Sequence, residues 1–203
     1  GVVVQPVGLD IEKMAIKEPS SLVFSLISQT SQFWNQNADI PPTLEAASDL
    51  IRESLDDSRH YAENRELYEY DQRLEALLPV IQREVPAIFQ ANRVEEIRKA
   101  IEIAEDFDLN LVIAGGVEAH KVAGELAQAE AGVILGNSGA ASSEIRGGGS
   151  GWSIEGPAIL SRAGVKVAFF GPGGSRRASP IGRLGGEPAL NAAWAFRNGT
   201  GEV

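Results

Sequence analysis

Gln90 to Asn92, Ala114 to Gly116, Gly136 to Ser138 and Gly171 to Gly174 each follow a short apolar run rich in Val, Ile, Leu or Phe. If those runs are parallel strands, these are the positions where a sheet of this kind places its chemistry, because catalytic groups gather where strand C-terminal ends meet the next loop. None of them is His, Asp, Glu or Lys. Gln90, Asn92 and Asn137 can hydrogen-bond a ligand but cannot exchange protons near neutral pH. General acid–base or metal-assisted hydrolysis would need other residue types there.

Other candidates are weaker. Gly115-Gly116 precedes a helix start, where free N–H groups could hold an anion, but neither dinucleotide- nor mononucleotide-binding glycine signature is present. Gly171-Pro172-Gly173-Gly174-Ser175-Arg176-Arg177 is the better anion candidate, since Arg176 and Arg177 follow a donor-rich turn. His60, among charged residues, and His120, inside a helix expected from Val117, match no paired metal motif and read as bystanders. Asp56-Asp57 and Glu95-Glu96 fall on helices, where sequence neighbours diverge by about 100° and cannot share a substrate; both pairs read as solvated faces. Trp34, Trp152 and Trp194 are scattered and form no stacking series.

The elements that position these residues follow from periodicity. Val2 to Val4 and Leu22 to Leu26 read as strands, and Asp10 to Lys17 as a helical turn stopped by Pro19. A polar loop ends at Pro41-Pro42. Thr43 then caps a helix with Leu44, Ala47, Leu50, Ile51 and Leu55 on one face, weakening towards Tyr70. A second helix runs from Asp71 to Ile81. Strand and helix then alternate: Ala87 to Phe89, a helix with Val94, Ile97, Ile101 and Ala104, Leu109 to Ala114, Val117 to Gln128, and Gly132 to Leu135. A Gly/Ser/Ala loop from Gly136 to Gly151 intervenes before a helix near Ile154 to Ala163, the strand Val165 to Phe170, a glycine-rich stretch and a last helix, Glu187 to Arg197. This alternation implies a parallel α/β sheet. Residues 1–42 form N-terminal strands and a loop leading into a (β/α) segment, 43–203, within one domain.

The net charge of −10 and pI near 4.7 argue against nucleic-acid and anionic-membrane partners. No apolar run approaches the roughly 20 residues of a bilayer span. The chain has no cysteine, which excludes thiolate chemistry and fits a cytoplasmic or an exported protein alike. It begins GVVVQPVG, without an initiator Met or a charged leader, and reads as cut from something longer.

The block from Leu74 to Leu135, with LLPVIQREVPAIFQANRVEEIRKAIEIAEDFDLNLVIAGGVEAH at its heart, resembles the amidohydrolase superfamily in its imidazolonepropionase-related branch. Met14 to Leu26 and Thr43 to Leu55 fit more loosely, and Ala163 to Phe170 with Leu190 to Gly199 resembles the last barrel strand and its helix. The resemblance implies a partial or truncated TIM-like (β/α) barrel, since a complete one takes about 250 residues. It also implies a family activity: hydrolysis of C–N bonds in amides, cyclic amides or dipeptides by water on zinc or another divalent metal. Family histidines after the fifth and sixth strands map to Gln90 and Gly115, and the aspartate after the eighth to Pro172. All three ligand positions are changed, so no metal or cofactor is expected in this chain. Two readings stand open: a non-catalytic module for a small amide or carboxylate ligand, or a hydrolase completed by residues outside the chain. Apolar strand edges invite a homo-oligomer.

Overall fold

The computed structural model describes residues 3–4, 15–17, 19–26, 43–135, 151, 153–169, and 192, 193, 195, 197 and 199. At the start, β1 (Val3–Val4) pairs antiparallel with β2 (Ala15–Lys17). Ala15 to Lys17, expected in a helical turn, is therefore extended. The pairing with β1 supplies backbone partners that one isolated turn, with its costly nucleus, could not.

Among the described residues the main sheet has five strands in the order β3 (Leu22–Ser25), β4 (Ala87–Ala91), β5 (Leu111–Gly115), β6 (Gly132–Leu135) and β7 (Lys166–Phe169). Every neighbouring pair is parallel. Spatial order equal to chain order, with right-handed crossovers, puts the helices on one face of the sheet. That is the winding of a (β/α) barrel; a doubly wound sheet reverses order at a switch point. The fold is α/β, a segment of a TIM-like barrel.

Between β3 and β4 lie α1 (Leu44–Glu63) and α2 (Gln72–Ile81). Thr43 caps α1, its Oγ1 accepting from the Ala46 N–H at 3.2 Å, and Asp71 caps α2 through the N–H groups of Arg73 and Leu74. The pattern expected to reach Tyr70 stops at Glu63: Asn64 leaves helical geometry and bonds back to the His60 carbonyl, and Arg65–Leu67 forms a 3₁₀ turn. After β4 comes α3 (Val94–Asp106), after β5 a 3₁₀ turn (Ala119–Val122) and α4 (Ala123–Gln128), and after β6 the helix α5 (Gly156–Arg162). The last expected helix falls largely outside the described residues, although Ala192, Ala193 and Ala195 are helical.

The core lies between sheet and helices. Phe89, Ile113 and Val133 from the strands meet Ile97, Ala100, Ile101 and Ala104 of α3, all buried. Phe24 of β3 stacks on Phe89 with ring centroids 5.0 Å apart. The opposite face of the sheet carries two rows set by the register: Val23, Ile88, Val112, Gly132 and Lys166, then Ser25, Gln90, Ala114, Ile134 and Ala168. These positions are half-buried or exposed.

Each helix hands over to its strand through the same turn. Arg83, Asp108, Glu130 and Gly164 all have positive φ just past a helix end. In each, that residue's N–H bonds three residues back, and the next N–H bonds five back, as in Leu109 to Ala104 at 2.9 Å and Ala131 to Leu126 at 2.9 Å. This is the Schellman closure, which favours glycine; only Gly164 supplies one. Glu130 is exposed, so Glu130→Gly should relieve backbone strain without loss of packing and raise stability by about 1 kcal/mol. A higher denaturation midpoint at unchanged urea m-value is the expected reading.

Candidate functional site

The C-terminal ends of the strands bring Gln90, Asn92 and Gly115 together. Gln90 pairs laterally with Ser25 and Ala114 and is exposed on the open face, while its neighbours Phe89 and Ala91 are buried towards the helices. Alternation along β4 thus directs its amide to the side where a barrel holds its ligand.

Gly115 ends β5 with φ of +105°. A Cβ there would collide with Asn92 Oδ1 and lie 3.3 Å from the Ala91 carbonyl oxygen. The side chain of Asn92 therefore occupies the place that a residue larger than glycine would claim. Gly116, at φ +59°, is equally confined, with Val133 Cγ1 3.0 Å from where its Cβ would stand.

The loops around this point are tied by their own carboxylates. Glu118 Oε2 accepts from the Val94 N–H at 3.0 Å, and Lys121 Nζ donates to its Oε1 at 2.6 Å. The Glu118 N–H donates to the Asn92 carbonyl at 2.8 Å, and the Gly116 N–H to that of Ala91 at 2.8 Å. A Cβ on Gly151 would run into the Glu118 carboxylate, so the segment before α5 lies against it too. Glu118 joins the loops after β4, β5 and β6. The sequence pattern places Glu118 inside the helix expected from Val117 and gives it no role; a carboxylate so close beyond a strand end is the available signal. The Lys121 ammonium, with the Val94 N–H, holds the Glu118 carboxyl below its ordinary value against the opposing effect of burial.

Glu96 corrects a second expectation. It is buried, not solvated, and its Oε2 accepts from the N–H groups of Asn92 at 2.7 Å and Arg93 at 3.1 Å. This is half of a capping box, since arginine at the cap position has no acceptor to return. Glu95, Asp56 and Asp57 are exposed as expected. With Glu96 and Glu118 bound there, the N–H groups of Asn92, Arg93 and Val94 at the start of α3 are already engaged by the chain's own anions. The Gly115-Gly116 anion reading fails likewise, because the Gly116 and Glu118 N–H groups point to Ala91 and Asn92. Those cross-loop bonds also explain why the expected helix from Val117 opens as a 3₁₀ turn.

His60 is exposed at the end of α1. His120 is half-buried beside Gly156, its Nδ1 3.6 Å from that residue's notional Cβ. Burial, aided by the Lys121 charge, lowers its pKa from the ordinary value. Among the described residues no three His, Asp or Glu side chains gather in a metal-ligating group. The positions that the resemblance assigns to metal ligands do not fit one: Gln90 offers a neutral amide and Gly115 no side chain. Asn137, Pro172, Arg176 and Arg177 lie outside the described residues. A groove of about 430 Å³ opens at the opposite end of the strands, where β5 begins, lined by Arg83, Asp108, Asn110 and Glu130 among others.

The chain is similar to a solved amidohydrolase from Thermotoga maritima MSB8, with a TM-score of 0.78 and 25% identity over 98% of this chain and 51% of that one. The fold is amidohydrolase-like. This chain spans about half the length of that relative. No protein-family model and no curated protein matches it. Among the described residues no helix is long and apolar enough to cross a membrane.

Gly115→Ala should cost about 1–3 kcal/mol from the strained φ and the clash with Asn92, whereas Gln90→Ala should change stability by no more than about 0.5 kcal/mol; paired chemical denaturation curves separate the two. Glu118 makes a pH prediction. Its folded pKa is depressed, so its contribution is present above the unfolded carboxylate value and is lost as pH falls through the folded one. Glu118→Gln should flatten the acid limb of the stability–pH curve below about pH 4.5, read by thermal melts across that range.

Proposed function

We propose that this chain is an amidohydrolase-like binding or structural module, of the imidazolonepropionase-related branch, that does not itself hydrolyse its ligand. The observation that carries the reading is the end of β5. A hydrolytic barrel of this kind sets a metal between side chains on neighbouring strand ends, and here Gly115 has no side chain while Asn92 fills the space beside it. Gln90, on the adjacent strand, can ligate a hard cation only weakly through its amide oxygen, and one neutral contact does not make a site. What the strand ends offer is amide hydrogen bonding from Gln90 and Asn92, suited to a small amide or carboxylate ligand.

A second reading is favoured by the open face of the sheet. Parallel sheets are covered on both faces, yet Val23 is 53% exposed and Gln90 and Ala168 are also exposed. Together with the half-length match to the Thermotoga protein, this supports a metal-dependent hydrolase in which further residues, from more of the same protein or from a second copy, complete the barrel.

Metal analysis coupled to an amide assay tests both. The chain, incubated with zinc or manganese and then desalted, should retain no stoichiometric metal and release no amine from cyclic amides or dipeptides. One equivalent of tightly held metal together with turnover would overturn the first reading and leave the second standing.

A further inference from the structure

The far end of the α1–α2 hairpin carries a surface unrelated to the strand ends. Arg52 of α1 pairs with Glu102 at 2.9 Å and with Asp106, and the Arg59 guanidinium lies 4.8 Å from the centroid of the Phe107 ring. Asp106 and Phe107 close α3 just before β5 begins. The final turn of α1 therefore runs past the edge where the strands start, and α2 returns the chain to Val85 and β4.

At this tip Leu67, Tyr68 and Tyr70 are 77%, 51% and 74% exposed. Single exposed apolar residues are ordinary, but a leucine and two tyrosines within four positions form a cluster. The backbone of Leu67 and the ring of Tyr68 are held in place. The Leu67 N–H donates to the Asn64 carbonyl at 2.8 Å, and the Tyr68 ring meets buried Tyr61 edge-on at 5.7 Å. Tyr61 is anchored in turn by its hydroxyl on Glu75 Oε1 at 2.8 Å and by the Arg65 guanidinium 5.0 Å from its ring centroid. A Tyr68 ring already held against Tyr61 loses little freedom on docking, and tyrosine is enriched in interface centres.

Charge selects the occupant. Exposed Glu66, Glu69 and Asp71 alternate with the apolar residues, while Arg65 is taken up by Glu75. A second copy of a chain with net charge −10 would bring like charges together here. We propose that the 66–71 tip docks a basic segment of another protein, whose lysines or arginines meet Glu66 and Glu69 while an aliphatic or aromatic side chain packs on Leu67, Tyr68 and Tyr70.

The whole chain can be titrated with a fluorescein-labelled synthetic peptide alternating Lys and Leu, with a Glu/Leu peptide as control. Binding of the Lys/Leu peptide should weaken as salt rises, and the control should not bind. Leu67→Ser with Tyr70→Ser should weaken binding about ten-fold or more, and Glu66→Lys with Glu69→Lys should abolish its salt dependence, both with unchanged melting temperatures. Equal affinity in all variants would place binding elsewhere on the acidic surface and overturn the proposal, as would no binding at all. Self-association of the unmodified chain in sedimentation, lost in the Ser variant, would give the tip to a second copy and overturn it too.

Discussion

A parallel sheet cannot be built from tight hairpins: after each strand the chain must travel back before it can add another. The rest of this structure depends on how that return is made. Among the described residues, four helices end in the same left-handed residue and pair of backward hydrogen bonds, at Arg83, Asp108, Glu130 and Gly164. The turn is short, so the helix axis is fixed to the strand that follows it. That is what lays Ile97, Ala100, Ile101 and Ala104 of α3 against Phe89 and Ile113 in one core.

The same geometry divides the sheet into unlike faces. The side under the helices is apolar and closed. The other side alternates modest apolar residues with Ser25, Gln90 and Lys166, and it is there that an amidohydrolase-like barrel would look inward. The loops above it are drawn together by Glu96 and Glu118, which answer backbone donors that a phosphate or other anion could otherwise recruit. A carboxylate that caps a neighbouring helix is committed to holding loops in place, and its proton stays off because Lys121 and the Val94 N–H favour the charged form.

The alternation of strands and helices was legible in the sequence because the strands read as continuous apolar runs, as in LVIA and GVIL, and because Thr43 and Asp71 are strong caps. That Gln90 and Gly115 stand at the C-terminal ends of neighbouring parallel strands was legible too. Less could be read where distant residues decide the local conformation. Ala15 to Lys17 took its state from a strand some ten residues earlier. The first turn after β5 tightened because Glu118 reaches back to the loop after β4, a partner that no periodicity announces. Glu96 looked like any acidic residue of a first helical turn, and its burial depends on the two N–H groups it meets. Of the four helix-ending turns, only the one with Gly164 carried its usual residue; Arg83, Asp108 and Glu130 adopt the strained conformation because the next strand leaves no other route.

The contact between Asn92 and Gly115 has a consequence for how such a barrel can change through substitution. Any side chain placed at 115 meets Asn92 first, and a smaller residue at 92 with glycine still at 115 leaves a gap between two loops. Either change alone is a step downhill, so the two positions are locked as a pair. A side chain at position 115 is therefore reached only when both residues change together.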